Sequence, residues 1–121
     1  MPDRFVFHGQ TTFVNQPRDT VIKNFQNSYI TGDGSDKDKA NAELKKLVEL
    51  ILTSQELPKE EKEESLQAVH EVAEQVKDNK GTKLTLKGSL QAVKEVVSKA
   101  SDIAVPALDI ISTVLKLLAI A

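Results

Sequence analysis

The sequence predicts a mainly α protein: a helical bundle of about four helices behind a short N-terminal β-strand arm, a meander or hairpin. Three observations predict it. Apolar residues recur at alternating spacings of three and four through most of residues 37–121, as on a helix with one buried face. All four phenylalanines and the single tyrosine fall within residues 5–29, among β-branched neighbours that suit strands. Between these textures lies Thr31-Gly32-Asp33-Gly34-Ser35, whose two glycines mark a break. The expected organisation is a β-like aromatic arm over 1–31, a Gly-rich linker over 32–36 and a helical domain over 37–121.

In the arm, Phe5 and Phe7 share one strand face, and Thr11, Phe13 and Asn15 another. His8-Gly9-Gln10 reads as a turn, and residues 15–19, with Pro17, as the next. Residues 20–25 read as a third extended run. Three short strands bury little surface alone, so the arm must pack on its own helices or on copies of itself. Open strand edges and the apolar side chains Phe5, Phe7, Phe13, Val14, Val21, Phe25 and Tyr29 make it the expected interface between chains.

Ser35 or Asp36 is suited to cap the first helix, which carries Ala40, Leu44, Leu47, Val48, Ile51 and Leu52 to about residue 53 or 54. Leu57-Pro58 interrupts it. The second helix starts at Pro58, with four glutamates near the positive end of its dipole. Leu66, Val69, Ala73 and Val76 form its apolar stripe, and Gly81 is the expected left-handed cap. Leu86, Leu90, Val93, Val97 and Ala100 define a third helix from about Thr82, although residues 83–87 also alternate like a strand. Ser101-Asp102 and Pro106 separate it from the terminal segment, with Asp102 or nearby backbone expected to cap the new start. In residues 103–121 only Asp109, Ser112, Thr113 and Lys116 are polar, forming one narrow stripe. This helix is expected to take the most buried slot.

At 121 residues, with 40% hydrophobic and 28% charged side chains, the composition suits one globular domain. The absence of cysteine excludes disulfides, thiolate metal sites and cysteine nucleophiles. The first ten residues lack the apolar run of a secretory signal, so a cytoplasmic location is expected. The net charge of −2 hides a division: residues 1–31 carry +1, 32–79 carry −6 and 80–121 carry +3. These charges read chiefly as solvated helix faces.

His70-Glu71-Val72-Ala73-Glu74 is the nearest approach to a metal motif. A zinc protease helix needs a second histidine at position 74, and His8 lies far away in the arm, so His70 is expected to be half-exposed and no metal ligand. Counted from Asp33, the sixth and twelfth positions of a calcium loop would be Asp38 and Leu44 rather than glycine and glutamate. No phosphate loop is present, and two histidines without a G-x-S-x-G supply no triad. The lysines of 80–99 have no interleaved aromatics, so no nucleic-acid partner is expected. Residues 103–121 approach a bilayer span in length, but Asp109 and Lys116 would each cost about 2.5–3.5 kcal/mol near its centre.

Residues 7–30 (FHGQTTFVNQPRDTVIKNFQNSYI), with the late apolar helix, resemble small bacterial proteins of cyanobacterial type. These carry a short G-x-T/V-x-F/V-x-N β-like segment, then a helical part ending in a leucine-rich helix with an early proline. Gly9, Thr11, Phe13, Asn15 and Pro106 carry the match. The resemblance implies company with bacterial signalling or defence modules and brings no catalytic residue. The expected function is non-catalytic protein–protein interaction, as a homo-oligomer or with a protein partner, with no cofactor. The alternative is a membrane-active or membrane-peripheral protein that uses its apolar terminal helix.

Overall fold

A computed structural model describes residues 13–119. Within them are five helices: α1 (Arg18–Tyr29), α2 (Asp36–Thr53), α3 (Lys59–Lys77), α4 (Lys83–Val97) and α5 (Ala104–Leu117). The described residues contain no strand. The strand expected around Phe5 and Phe7 lies outside them.

Residues 20–25, expected to be extended, are instead helical within α1. Pro17 opens this helix, its carbonyl accepting from Thr20 N–H and Val21 N–H. Val21, Phe25 and Tyr29 then recur every fourth residue along one face, and packing of that face outweighs the weak strand preference of Thr20, Val21 and Ile22. The described residues therefore hold one helix more than the sequence suggested.

The other four helices close a ring in which α2 packs on α3, α3 on α4, α4 on α5 and α5 back on α2. α1 lies across the α2–α3 seam. One continuous cluster fills the centre, with Leu44, Leu47 and Ile51 of α2, Leu66 and Val69 of α3, Leu90 and Val93 of α4, and Ile111 of α5. Val21 and Phe25 of α1 belong to the same cluster. The middle position falls to α2, flanked by α1, α3 and α5, and not to the terminal helix. α5 buries Ala107, Ile110, Ile111 and Val114 but leaves Val105 80% exposed.

Capping follows local chemistry. Ser35 accepts from Asp38 N–H at the start of α2, and Thr82 accepts from Thr85 N–H at the start of α4. The 83–87 segment is thus helical, as its favoured reading had it. α3 closes with Asn79, rather than Gly81, as its first left-handed residue, at φ 61°. Lys80 N–H bonds Gln75 O at 2.8 Å and Asn79 N–H bonds Val76 O at 3.3 Å, the paired arrangement of a Schellman end. Gly81, at φ 79°, extends the turn.

Asp102 does not cap α5. Its carboxylate accepts from Ser54 Oγ at 2.9 Å and Gln55 N–H at 2.8 Å. These bonds hold its carboxyl below the usual carboxylate range. Glu56 reciprocates by accepting from the N–H and hydroxyl of Ser101. Two carboxylates thus clasp the α2–α3 loop to the α4–α5 loop. The Gly-rich linker is similarly tied: Asp38 accepts from Thr31 N–H at 2.6 Å and Gly32 N–H at 2.9 Å.

Candidate functional site

Two places carry unusual side-chain chemistry. The first is the seam where the chain before α1 meets α3. Glu63 and His70 sit seven residues apart on one face of α3. Glu63 is only 3% exposed. Its carboxylate accepts from Phe13 N–H at 2.9 Å and Val14 N–H at 3.2 Å. Phe13 is thereby laid flat on His70, with ring centroids 4.2 Å apart and planes 20° apart. Phe25 and Tyr29 meet the same imidazole edge-on, at 5.1 and 5.7 Å. His70 Nδ1 lies 2.8 Å from Leu66 O. A carbonyl can only accept, so Nδ1 carries the proton and the neutral ring keeps Nε2 as its acceptor.

Burial holds the His70 pKa below its ordinary 6.5, against smaller opposing effects of the Leu66 carbonyl and the Glu63 charge. An imidazole kept neutral in the folded chain protonates more readily once unfolded. His70 therefore contributes stability that is complete above about pH 6.5 and falls as pH drops toward the depressed folded value. Asp102 has the same sign in a lower window, because its stabilisation persists above 3.8 and is lost below it. Denaturation across pH is expected to show two separate acid limbs, with His70→Phe abolishing only the upper one. A single limb below pH 4, unchanged in the variant, would contradict this burial of His70.

The carboxylate also predicts a linked effect. Glu63→Ala leaves two partly buried amides without their acceptor, a loss on the order of 2 kcal/mol. Phe13 should then lift from His70, breaking the ring stack. In NMR spectra of Glu63→Ala the His70 ring protons are expected to lose the ring-current shift that Phe13 imposes; a spectrum that keeps it would show that Glu63 does not hold Phe13 in place.

Beside the imidazole is a notch of about 120 Å³ lined by Phe13, Gln16, Val21, Asn24, Ser28, Tyr29 and His70. It is well below the several hundred Å³ of a typical small-molecule or cofactor pocket. Among the described residues, no group of three or more His, Asp or Glu side chains is placed to hold a metal ion.

The second place is a groove of about 570 Å³ between α1 and α5, floored by α2. Ile22, Leu50, Pro106 and Ile110 give it an apolar lining, and Arg18, Asp19, Lys46 and Glu49 stand along it. Two of its helices, α1 and α2, are tied to α3 by polar contacts near the C-terminal end of α1. Asn41, 1% exposed, donates to the Tyr29 carbonyl at 3.0 Å and the Ala73 carbonyl at 3.1 Å, joining α1, α2 and α3. Lys77 Nζ reaches Ser28 O at 2.7 Å and so closes the α1 terminus from α3.

The residues expected to form an interface separate accordingly. Val21 and Phe25 are buried in the chain's own core, and Phe13, Val14 and Tyr29 are half-buried against it. Phe5 and Phe7 lie outside the described residues. The sequence reading missed Glu63, which no feature distinguishes within Glu60-Glu61-Lys62-Glu63-Glu64. It also missed the groove, which three helices build jointly. The described residues form a helical bundle in which the buried side chains of Asn41 and Glu63 tie separate segments of the chain together. Comparison with protein-family models, curated proteins and solved structures finds no match.

Proposed function

We propose that this chain is a non-catalytic protein–protein interaction module of the cytoplasm, and that its first partner is a second copy of itself. The α1–α2–α5 groove supports this reading best. Its apolar lining with charges of both signs suits a protein surface better than a polar metabolite. His70, a residue type often used in acid–base chemistry, is stacked on Phe13 with Nδ1 turned to a backbone carbonyl. Sedimentation velocity across a micromolar concentration series is the test. The expected mass rises toward twice the 13.3 kDa of one chain; a constant single-chain mass would overturn the reading.

The membrane alternative would have to withdraw Ala107, Ile110, Ile111 and Val114 from the core. No helix among the described residues is long and apolar enough to cross a membrane. Co-sedimentation with anionic liposomes is expected to leave the protein in the supernatant.

A further inference from the structure

We infer that Asp33–Gly34, in the loop joining α1 to α2, is a site of spontaneous backbone modification, where the aspartyl linkage converts through a cyclic imide to isoaspartate. The sequence holds no other Asp–Gly pair and no Asn–Gly pair. Every other aspartate is followed by a residue with a Cβ, which crowds attack of the next nitrogen on the side-chain carboxyl. Asp33 and Gly34 are both exposed and lie outside the helices. Gly34 takes φ 79°, and a Cβ built on it would meet nothing within 4 Å, so a planar imide ring has room.

The hydrogen bonds of the loop leave the reacting atoms available. Thr31 N–H and Gly32 N–H donate to Asp38, Asp33 N–H to Thr31 Oγ1, and Ser35 N–H to Asp33 Oδ1. Of the amides of 31–35, only that of Gly34 has no acceptor among the described residues. The Ser35 bond, at 2.9 Å, turns the Asp33 carboxyl back along its own chain, toward the nitrogens that follow it. Asp36 and Asp38 stand instead in α2, where helical backbone fixes the next peptide unit.

The step needs no co-reactant beyond water. The Gly34 nitrogen attacks Cγ of the neutral Asp33 carboxyl. An N–Cγ bond forms, and the nitrogen's proton leaves with the carboxyl hydroxyl as water. Water then opens the imide at either carbonyl. Cleavage of the N–Cγ bond restores aspartate. Cleavage at the main-chain carbonyl leaves the chain running through Cβ and Cγ, one methylene longer, with a free carboxylate on Cα. The Ser35 N–H holds the Asp33 carboxyl below the usual carboxylate range, so the reactive neutral acid becomes more abundant as pH falls.

The test holds the folded full chain in mildly acidic buffer made with heavy-oxygen water, then applies trypsin and electron-transfer fragmentation. The tryptic peptide 24–37 carries both Asp33 and Asp36, so each is the other's control. A β-linkage with one heavy oxygen is expected to accumulate at 33 and to stay absent at 36. Asp33→Ser should abolish it, and Gly34→Ala should slow it several-fold. Circular dichroism establishes that both variants are folded, because alanine is strained at this φ. No β-linkage at 33, as much at 36 as at 33, or a folded Gly34→Ala that converts as fast as the parent overturns the assignment. Conversion in the free peptide 24–37 but not in the folded chain also overturns it, because the loop would then shield the bond.

Discussion

Replacing Ile111 by aspartate is expected to abolish the folded state at 25 °C, while Ser112→Asp, one residue on, leaves the melt nearly unchanged. Ile111 is 1% exposed, on the face that α5 presents to α2, the most extensive helix pairing in the protein. No cationic side chain belongs to the buried set around it, so a carboxylate there would be both desolvated and unpaired. Such a substitution costs more than about 4 kcal/mol, out of a total stability of about 5–15 kcal/mol for a domain of this kind. Ser112 is exposed, and surface changes of this sort stay within about 0.5 kcal/mol. Thermal unfolding by circular dichroism separates the two. Matching melts for both variants would mean that α5 is not held against α2 by this face.

Phe25→Ala is expected to lower the stability of the whole bundle by about 3–5 kcal/mol. Phe25 is fully buried, the largest such side chain among the described residues, and meets Tyr29 edge-on at 4.9 Å and His70 at 5.1 Å. Truncation leaves a cavity between α1 and the α2–α3 seam and removes one wall of the histidine cluster. Denaturant unfolding followed by helix signal should show one transition displaced as a unit. If α1 were an appendage on the bundle, the main transition would keep its midpoint, and only a minor early loss of signal would mark the variant.

The ring helices were legible because their buried faces come from local spacing. Leu44, Leu47 and Ile51, or Leu86, Leu90, Val93 and Val97, mark a face whatever stands opposite. Their breaks were legible because Pro58 and Thr82 act on the backbone beside them. α1 was misread because its β-branched and aromatic residues carry a weak strand preference, whereas its four-residue spacing of Val21, Phe25 and Tyr29 matters only against a surface to cover. The carboxylate contacts were not legible at all. Glu63 bonds amides fifty and forty-nine positions away, and Asp102 reaches back forty-seven and forty-eight to the α2–α3 loop. In each case the sequence shows an acidic residue on a polar stretch, and only the packed helices reveal the donor it meets. Val105 differs in kind, because its exposure became visible only once α5 had chosen which side to bury.

α1 packs into the same core as the four-helix ring, and the two are expected to unfold as one cooperative unit. Native-state hydrogen exchange tests it most directly by comparing the amides of Phe25 in α1 and Leu47 in α2, both in helical backbone and fully buried. Both amides are expected to exchange through the same global opening, with equal free energies and equal sensitivity to denaturant. A Phe25 amide that opens several kcal/mol more easily than Leu47, through a denaturant-insensitive local motion, would contradict it.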